Sequence, residues 1–345
     1  MLKKLTLKNI TTFENAEFNF SSGINIIIGE NSSGKSHVLK FAYSVACVWE
    51  QCGKGDWKDI LIKKLHNVFK IEELQQLKNT NSLLAAEKYN VSLDFFVNHK
   101  KEDMQTLSFN LVPTSRDKIT FEGKIPNAPI KNTPLFFPAK EALSIYPNFT
   151  ALYEKYALSF DETYYDLCKA IDSPLLKQPN QQLIEKIEQV MEGKIILRNN
   201  NFYLQTPQGE RNIFMVAEGL RKLGMLSYLI ANDSLKENSI LFWDEPEANL
   251  NPRLIKKLAA FLIELSQHKV QIIISTHSLF LMKYFDFLLK QSKTDVPAAF
   301  FNLTRTENGV CVEQGENLNQ LNTIVALEEE LELYDKEQEA FYANF

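Results

Sequence analysis

Two short segments near the N-terminus alternate apolar and polar residues. Residues 2–8 (LKKLTLK) and 16–20 (AEFNF) follow this pattern, which is typical of strands with one buried face. The apolar run INIII at 24–28 is continuous and β-branched, as in a strand covered on both faces. A polar glycine loop ends this run, and the residues after it predict a helix that extends to about Glu50.

The middle of the chain has shorter apolar segments, separated by prolines and polar turns. We expect its strands to form a β-rich arm and its helices to form an insertion in the core. The predicted elements are a lysine-bearing amphipathic helix at 54–70, strands at 91–98, 106–112, 117–123 and 133–141, broken helices over 150–192, and a hairpin at 194–209 that turns at Asn199 and Asn200.

In the last third, buried apolar strands alternate with helices. Strands are predicted at 239–245 and 270–276, with helices over 219–232 and 252–267. This rhythm favours a mainly parallel sheet, so the fold class is α/β. The predicted domains are a first lobe (1–55), the β-rich and helical arm (56–140), the helical insertion with its hairpin (141–211) and a second lobe (212–345).

The glycine loop, GENSSGKS, fits the phosphate-binding pattern G-x-x-x-x-G-K-[ST] between a strand and a helix. Its glycines let backbone N–H groups face phosphate oxygens at a helix N-terminus. In this pattern Lys35 reaches the terminal phosphates and Ser36 is a ligand of Mg²⁺. The candidate nucleotide-binding residues are Gly29, Glu30, Asn31, Ser32, Ser33, Gly34, Lys35 and Ser36.

Two adjacent acids end the strand SILFWDEP. Asp244 is placed to join the Mg²⁺ shell, and Glu245 to polarise or deprotonate an attacking water. The alternative is that both acids cap the following helix. The pair favours hydrolysis over simple phosphoryl transfer to another substrate.

A third apolar run, VQIIISTHS, brings His277 to a strand end, where doubly wound sheets place their ligands. The 31 residues between Glu245 and His277 suffice for one helix and one strand. We therefore expect His277 to sense the γ-phosphate, with an ordinary surface or core histidine as the alternative.

These three motifs together resemble the ABC-type ATPase heads. The resemblance implies a dimer-contacting loop at Glu247–Asn251 and a signature segment at Val216–Leu223 (VAEGLRKL, against LSGGQ-R-x-L). In that family the signature segment faces the nucleotide of a second subunit, so ATP lies between two heads in a homodimer or a higher oligomer. The signature residues carried over to this chain are Ala217, Glu218 and Gly219.

The signature segment departs from the family pattern. Ala217 and Glu218 stand where the family has serine and glycine. The missing hydroxyl removes one hydrogen bond to a charged phosphate, about 1.5–3 kcal/mol. The sequence therefore predicts a weaker or partner-assisted dimer.

The opening LTLKNITTFENAEFNFSSGINIIIGENSSGKS is similar to the SMC, RecF and OLD group of these ATPases. Residues 56–211 show no sustained heptads, so an SMC-like coiled coil is not expected. Only 68 residues follow His277, fewer than the further catalytic domain of OLD nucleases needs. The resemblance leaves Lys140 or Glu141 as the positional counterpart of the family's glutamine loop, and Phe13 either near the adenine or in the core.

The bulk composition limits the possible functions. The chain has 345 residues, a formal net charge of −5 and 45% hydrophobic residues, as in an ordinary globular protein. No segment has the pattern of a signal peptide or membrane span, so we expect a cytoplasmic protein without a membrane partner. The four cysteines lack metal-site spacing and are expected to be buried, reduced thiols.

Three uses of the nucleotide remain open. The first is a switch ATPase that controls a separate effector, a nuclease or toxin, in bacterial antiphage defence. Its acidic tail (326–345) would either dock a partner helix or pack on its own head. The second is a RecF-like ATPase on DNA, and the third is a transporter subunit, which the opening motif disfavours. The candidate DNA contacts are Lys54, Lys58, Lys63, Lys64, Lys70, Lys100 and Lys101, with Trp57 and His66.

Overall fold

The structure is a computed structural model that describes residues 1–52, 55–79, 89–96, 104–112, 115–126, 128–291, 296–307 and 309–343. The strands are β1 (Leu2–Ile10), β2 (Phe13–Asn19), β3 (Ile24–Gly29), β4 (Tyr89–Phe96), β5 (Met104–Leu111), β6 (Ile119–Glu122), β7 (Pro134–Phe137), β8 (Lys194–Arg198), β9 (Asn201–Thr206), β10 (Gly209–Asn212), β11 (Ile240–Asp244), β12 (Gln271–Thr276), β13 (Ala298–Thr306) and β14 (Gly309–Gly315). The helices are α1 (Lys35–Glu50), α2 (Trp57–Phe69), α3 (Phe149–Lys155), α4 (Glu162–Ile171), α5 (Gln181–Met191), α6 (Glu218–Ala231), α7 (Pro252–Gln267), α8 (Leu279–Gln291) and α9 (Val325–Ala343).

A six-stranded sheet forms the centre of the protein, in the order β14-β13-β3-β12-β11-β7. All neighbours are parallel except β13 and β14, so the predicted mainly parallel α/β sheet is confirmed. The side chains of β3 alternate between two cores. Ile27 packs in the core that contains α1, and Ile26 packs in the one that contains α6 and α7. Both faces of this strand are therefore covered, as its continuous apolar run predicts.

A second, antiparallel sheet has the order β2-β1-β4-β5-β6. Strands β4 to β6, expected as a β-rich arm, pair through β4 with the N-terminal strand β1. Their inner faces supply Val91, Leu93 and Phe109 to the same core as α1. The strands of the first lobe and of the β-rich segment thus form one continuous sheet.

The predicted hairpin turns at the expected residues. Arg198 pairs with Asn201, and Asn199 and Asn200 both have positive φ values, 49° and 60°. Asparagine tolerates this left-handed conformation, which two-residue hairpin turns require. Strand β10 adds to the hairpin, which packs against α6 through Ile195 and Gly224.

The cysteines are partly as expected. Cys47 and Cys168 are buried, and burial raises the pKa of Cys47 to about 12, which keeps it a thiol. Cys311 is exposed, so the expectation of burial is wrong there, because its side chain lies on the outer face of β14. Within the described residues, no helix has both the length and the apolar character that crossing a bilayer requires.

One buried amide joins the two sheets. The Gln271 side chain at the start of β12 accepts a hydrogen bond from Leu2 N (2.9 Å). It also donates to Leu2 O and Ser21 O, both at 2.7 Å. Gln271 is 1% exposed, so the backbone groups it pairs would have no water to replace it.

We expect Gln271→Leu to lower the free energy of unfolding by about 3 kcal/mol, because it removes two hydrogen bonds to the Leu2 backbone and one of the two side-chain hydrogen bonds to Ser21 O. Urea unfolding followed by circular dichroism measures the change. Gln267→Leu, at an exposed position on the last turn of α7, is the control and should shift stability by less than about 0.5 kcal/mol. Equal stability of the two variants would show that the bridge is not needed.

Candidate functional site

The phosphate-binding loop lies between β3 and α1, as the motif predicts. Gly34 has φ +95° and directly precedes the first residue of α1. The ammonium of Lys35 turns back onto its own loop and donates to Gly29 O and Glu30 O, both at 2.8 Å. Glu30, Asn31 and Ser32 are exposed. The loop is therefore open to solvent at its tip, and its lysine is held beside the backbone that would cradle a phosphate.

Two neighbouring segments contact this loop, the turn at Thr12 and Phe13 and strand β13. A Cβ placed on Gly34 would lie 2.5 Å from Thr12 Oγ1 and 2.8 Å from the Phe13 ring. Only glycine fits this approach. On the other side, Arg305 of β13 donates to Ser32 O at 2.9 Å. Phe13 is fully buried and meets Phe18 edge to face, which supports its core alternative.

The acids at the end of β11 lie beside the end of β12. Ser275 Oγ donates to an oxygen of Asp244, and Glu245 N donates to Ser275 O at 3.0 Å. Glu245 has φ +48°, an unusual conformation for a non-glycine residue. This turn directs its carboxylate to His277, whose Nδ1 lies 3.1 Å from Glu245 Oε1.

Burial and nearby carboxylates act in opposite directions on Lys35. Its pKa is lowered, chiefly by burial, while Glu245 and Asp244 oppose the shift. The two carboxylates are therefore near enough to the Lys35 ammonium to raise its pKa by charge attraction. The structure thus brings together the phosphate loop, Asp244, Glu245 and His277.

The donor set suits Mg²⁺ bound to a nucleotide. In the described residues no group of three or more His, Cys, Asp or Glu side chains is arranged to hold a metal alone. Mg²⁺ commonly uses one or two protein oxygens, water and substrate phosphates. Asp244, the last residue of β11, and Ser36, in the first turn of α1, could supply such oxygens. The residues present therefore fit Mg²⁺ bound to a nucleotide.

The signature-like segment makes its contacts elsewhere than on the phosphate loop of the same chain. Among the described residues, no hydrogen bond joins 217–219 to 29–36. Instead, the segment packs on the loop after Glu245: a Cβ on Gly219 would lie 2.5 Å from Leu250 Cδ2 and 2.6 Å from Asn249 O. Ala217 precedes α6, and Glu218 is its first residue. Ala217 is exposed, Glu218 is half-buried and Gly219 is buried.

A buried ion pair links the signature helix α6 to the end of β7. Arg221 Nη1 lies 2.8 Å from Glu141 Oε1, and the Glu141 side chain is only 3% exposed. Ser144 also donates to Glu141 through its backbone N (3.1 Å) and its hydroxyl (2.6 Å). The carboxylate proposed as a glutamine-loop counterpart is thus held by α6.

Sequence reasoning missed a second buried group on α6. Lys222 is fully buried and donates to Glu245 O at 3.2 Å. Burial lowers its pKa, and the nearby carboxylates of Glu218 and Glu247 oppose that shift. Glu247, also buried, accepts from the Thr276 hydroxyl, and burial raises its pKa. These contacts connect α6, the loop after Glu245 and the strand end that carries His277.

Three of the described residues proposed for DNA contact, Lys64, His66 and Lys70, have partners elsewhere in the chain. Lys64 is buried and pairs with Glu162 (3.2 Å) and Asp166 (2.5 Å) of α4. His66 Nε2 contacts Asp117 at 2.7 Å, and Lys70 donates to Leu158 O at 2.6 Å. Lys63 is exposed. Lys54, Lys100 and Lys101 lie outside the described residues.

Residues 92–283 match a protein family described as "AAA domain, putative AbiEii toxin, Type IV TA system". This match covers more than half of the chain, and it includes the end of β11 and His277.

The chain is also similar, over short segments, to proteins described as DNA replication and repair protein RecF. It is 47% identical over 60 residues to the protein from Streptococcus gordonii, which is 17% of this chain and 16% of that relative. It is 32% identical over 88 residues to the protein from Ligilactobacillus salivarius, 25% of this chain and 23% of the relative. The matches thus span less than a quarter of each relative.

Solved structures of SMC heads share the fold. An SMC head bound to the C-winged helix domain of ScpA aligns with a TM-score of 0.58 at 16% identity, over 92% of this chain and 98% of the other. The SMC head from Thermotoga maritima gives 0.51 at 17% identity, over 91% and 99%. The head from Pyrococcus furiosus, with an extended coiled coil, gives 0.57 at 14% identity, over 98% and 99%. The predicted ABC-type head fold of the SMC and RecF group is confirmed.

Removal of Arg221 tests the ion pair that holds α6 to the end of β7. We expect Arg221→Met to lower the free energy of unfolding by about 3–5 kcal/mol, because it leaves the Glu141 carboxylate buried without its cation. Adding Glu141→Gln should recover part of that loss in a double-mutant cycle. Urea unfolding supplies the four values.

The matched control is Lys186→Met, which removes a more exposed ion pair with Glu264 and should cost less than about 1 kcal/mol. Strictly additive losses for Arg221→Met and Glu141→Gln would contradict the coupling.

Proposed function

The chain belongs to the AAA-domain family whose description names a type IV toxin–antitoxin system, and we propose that it is a switch ATPase. In this proposal it binds ATP with Mg²⁺, hydrolyses ATP, dimerises around the nucleotide and controls a separate effector. The Glu245–His277 contact of 3.1 Å, beside the phosphate loop, is the observation that carries it. A site for binding alone would not need a carboxylate poised beside a histidine at the phosphate end.

The hydrolytic roles follow from the position of each side chain. Lys35 leaves its contacts with the loop carbonyls and binds the terminal phosphates. Glu245 accepts a proton from, or polarises, the attacking water. His277 holds the Glu245 carboxylate and contacts the γ-phosphate. Mg²⁺, held by Ser36 and Asp244, would neutralise phosphate charge in the transition state.

A dimer around ATP is supported by the signature-like segment. At the start of α6, Ala217 is exposed and Glu218 is half-buried. Within the described residues neither forms a hydrogen bond with the phosphate loop of the same chain, so a second copy can reach them. Next to them, Phe214 is 61% exposed and Met215 is 81% exposed. Exposed apolar side chains beside a glycine-containing helix start suit burial in a protein interface.

The family description names a putative toxin of a type IV toxin–antitoxin system and no separate effector; control of a separate effector is part of our proposal. We place this activity in bacterial antiphage defence, with a nuclease or toxin as the effector. The RecF similarity supports the alternative, a DNA-binding ATPase in repair or recombination. Duplex DNA affinity that falls steeply with salt would favour that alternative, whereas absence of binding at low salt would exclude it.

We expect Glu245→Gln to reduce the ATP hydrolysis rate by at least about a hundredfold, because the amide cannot act as a base. It should still bind ATP and should accumulate as a dimer. Phosphate release and sedimentation velocity with and without ATP measure both effects. An Asp59→Asn variant, at an exposed position of α2, controls for loss of one carboxylate. Wild-type hydrolysis in Glu245→Gln would refute the role of this residue.

In the Glu245→Gln background, Met215→Glu should weaken the ATP-dependent dimer by at least about tenfold, because the interface would bury an unpaired charge. Sedimentation velocity over a concentration series measures the dissociation constant. Met104→Glu, at another exposed methionine (53% exposed) on β5, should leave it unchanged. Equal dissociation constants for the two variants would place the dimer contact elsewhere.

A further inference from the structure

The last helix, α9, extends an amphipathic face into solvent. Ile324, just before it, is buried, and Leu327 is partly buried against the main core. Beyond Leu327 the helix leaves this core: Leu331 is 55% exposed, Tyr334 is 58% exposed and Tyr342 is 72% exposed. One of the two expectations for this segment is that it packs on its own head. Of the apolar side chains named here, only Ile324 and Leu327, at the start of α9, do so.

These side chains share one face. Leu327, Leu331, Tyr334 and Gln338 are spaced by four, three and four residues, the spacing of a helix seam that packs on another helix. Tyr342 follows four residues after Gln338. The polar Gln338 lies within the seam, where one polar residue can fix the register of a helix pair.

Acidic residues flank this seam on both sides. At 100° per residue, Glu328, Asp335 and Glu339 lie on one side, and Glu330 and Glu337 lie on the other. Over its length α9 carries one cation, Lys336, and seven carboxylates: Glu328, Glu329, Glu330, Glu332, Asp335, Glu337 and Glu339.

Among the described residues, two of these carboxylates have a cationic partner. Lys336 pairs with Glu332, and Lys283 of α8 pairs with Glu330. The second pair is exposed and joins α9 to α8, which begins two residues after His277. Most of the acidic flank thus remains uncompensated along an exposed apolar seam.

We propose that α9 docks a basic amphipathic helix of a separate protein. Its apolar residues would cover Leu331 and Tyr334, and its lysines or arginines would pair with the flanking carboxylates. A second copy of α9 is a poor occupant, because like-charged flanks would face each other across the seam. The proposal deepens the proposed function, since it specifies the chemistry of the effector surface that the switch contacts.

A designed peptide tests the face on the full chain. The probe is a labelled 21-residue peptide of three heptads, with Leu at a and d and Lys at e and g. The control peptide has Glu at e and g. We expect the lysine peptide to bind with an affinity that falls as salt rises, and the glutamate peptide to bind at least about tenfold more weakly.

Two leucines on α9 supply a matched pair of variants. Leu331→Ala removes a seam residue and should weaken the lysine peptide by at least about tenfold. Leu333→Ala removes a leucine of similar exposure (59%) on the opposite side of the helix and should bind as the wild type does. Fluorescence anisotropy measures the affinities, and circular dichroism confirms that both variants are folded.

Each other outcome overturns the proposal. Equal binding by Leu331→Ala and Leu333→Ala would show that the seam is not used. Equal binding of the two peptides would remove the role of charge. ATP-independent dimers that Leu331→Ala dissociates would assign the face to a second copy.

The test is separate from that of the proposed function. We expect Leu331→Ala to hydrolyse ATP and to form the ATP-dependent dimer at wild-type levels, because α9 lies outside the nucleotide site. If the wild type does not hydrolyse ATP but the seam still binds the lysine peptide, the switch ATPase fails and the docking face stands.

Discussion

The parallel register of β3, β12 and β11 is the constraint on which the site depends. Ile28 pairs with Thr276, and Asp244 pairs with Ser275. One hydrogen-bonded row therefore places the phosphate loop, the two acids and His277 at the same edge of the sheet. A shift of one residue would turn every side chain of a strand to the opposite face. Because both faces of β3 are buried in separate cores, such a shift would exchange Ile26 and Ile27 between the two cores. It would also misplace the site at the strand ends.

The sequence predicted this centre well because its signals are local. The strand, glycine loop and helix around Lys35 are contiguous, and the acids and histidine each end an apolar run. Pairing between distant segments carried no such signal. The antiparallel sheet depends on the pairing of β1 with β4, about 85 residues later in the chain. Neither alternating pattern indicates which strand is the pairing partner. Strands β13 and β14, and Arg305 with them, were also missed, although these two strands are neighbours in sequence and pair with each other.

The buried charges were also beyond sequence reasoning. Arg221 fits the basic place in the signature segment, and Glu141 was only a positional guess, so their pairing required coordinates. Lys222 gave no signal, because a lysine on an amphipathic helix usually lies on its solvated face. Each buried charge costs free energy unless a partner offsets it. A helix that holds two of them against the ends of β7 and β11 is thus constrained in position by electrostatics as well as by packing.

This constraint bears on the departure in the signature segment. Glu218, in the first turn of α6, interacts favourably with the positive end of the helix in the isolated chain. In the proposed dimer the same carboxylate would approach the phosphates of a second copy, where like charges repel. Helix α6, which carries Glu218, is joined through Lys222 to the backbone of Glu245, so a shift of the segment on ATP binding would be transmitted to the Glu245 carboxylate. In a weak ATP-dependent dimer, a small amount of binding free energy from a partner protein would be enough to shift the equilibrium between monomer and dimer. The Lys222–Glu245 contact therefore suits a head whose assembly is set by a partner as well as by ATP.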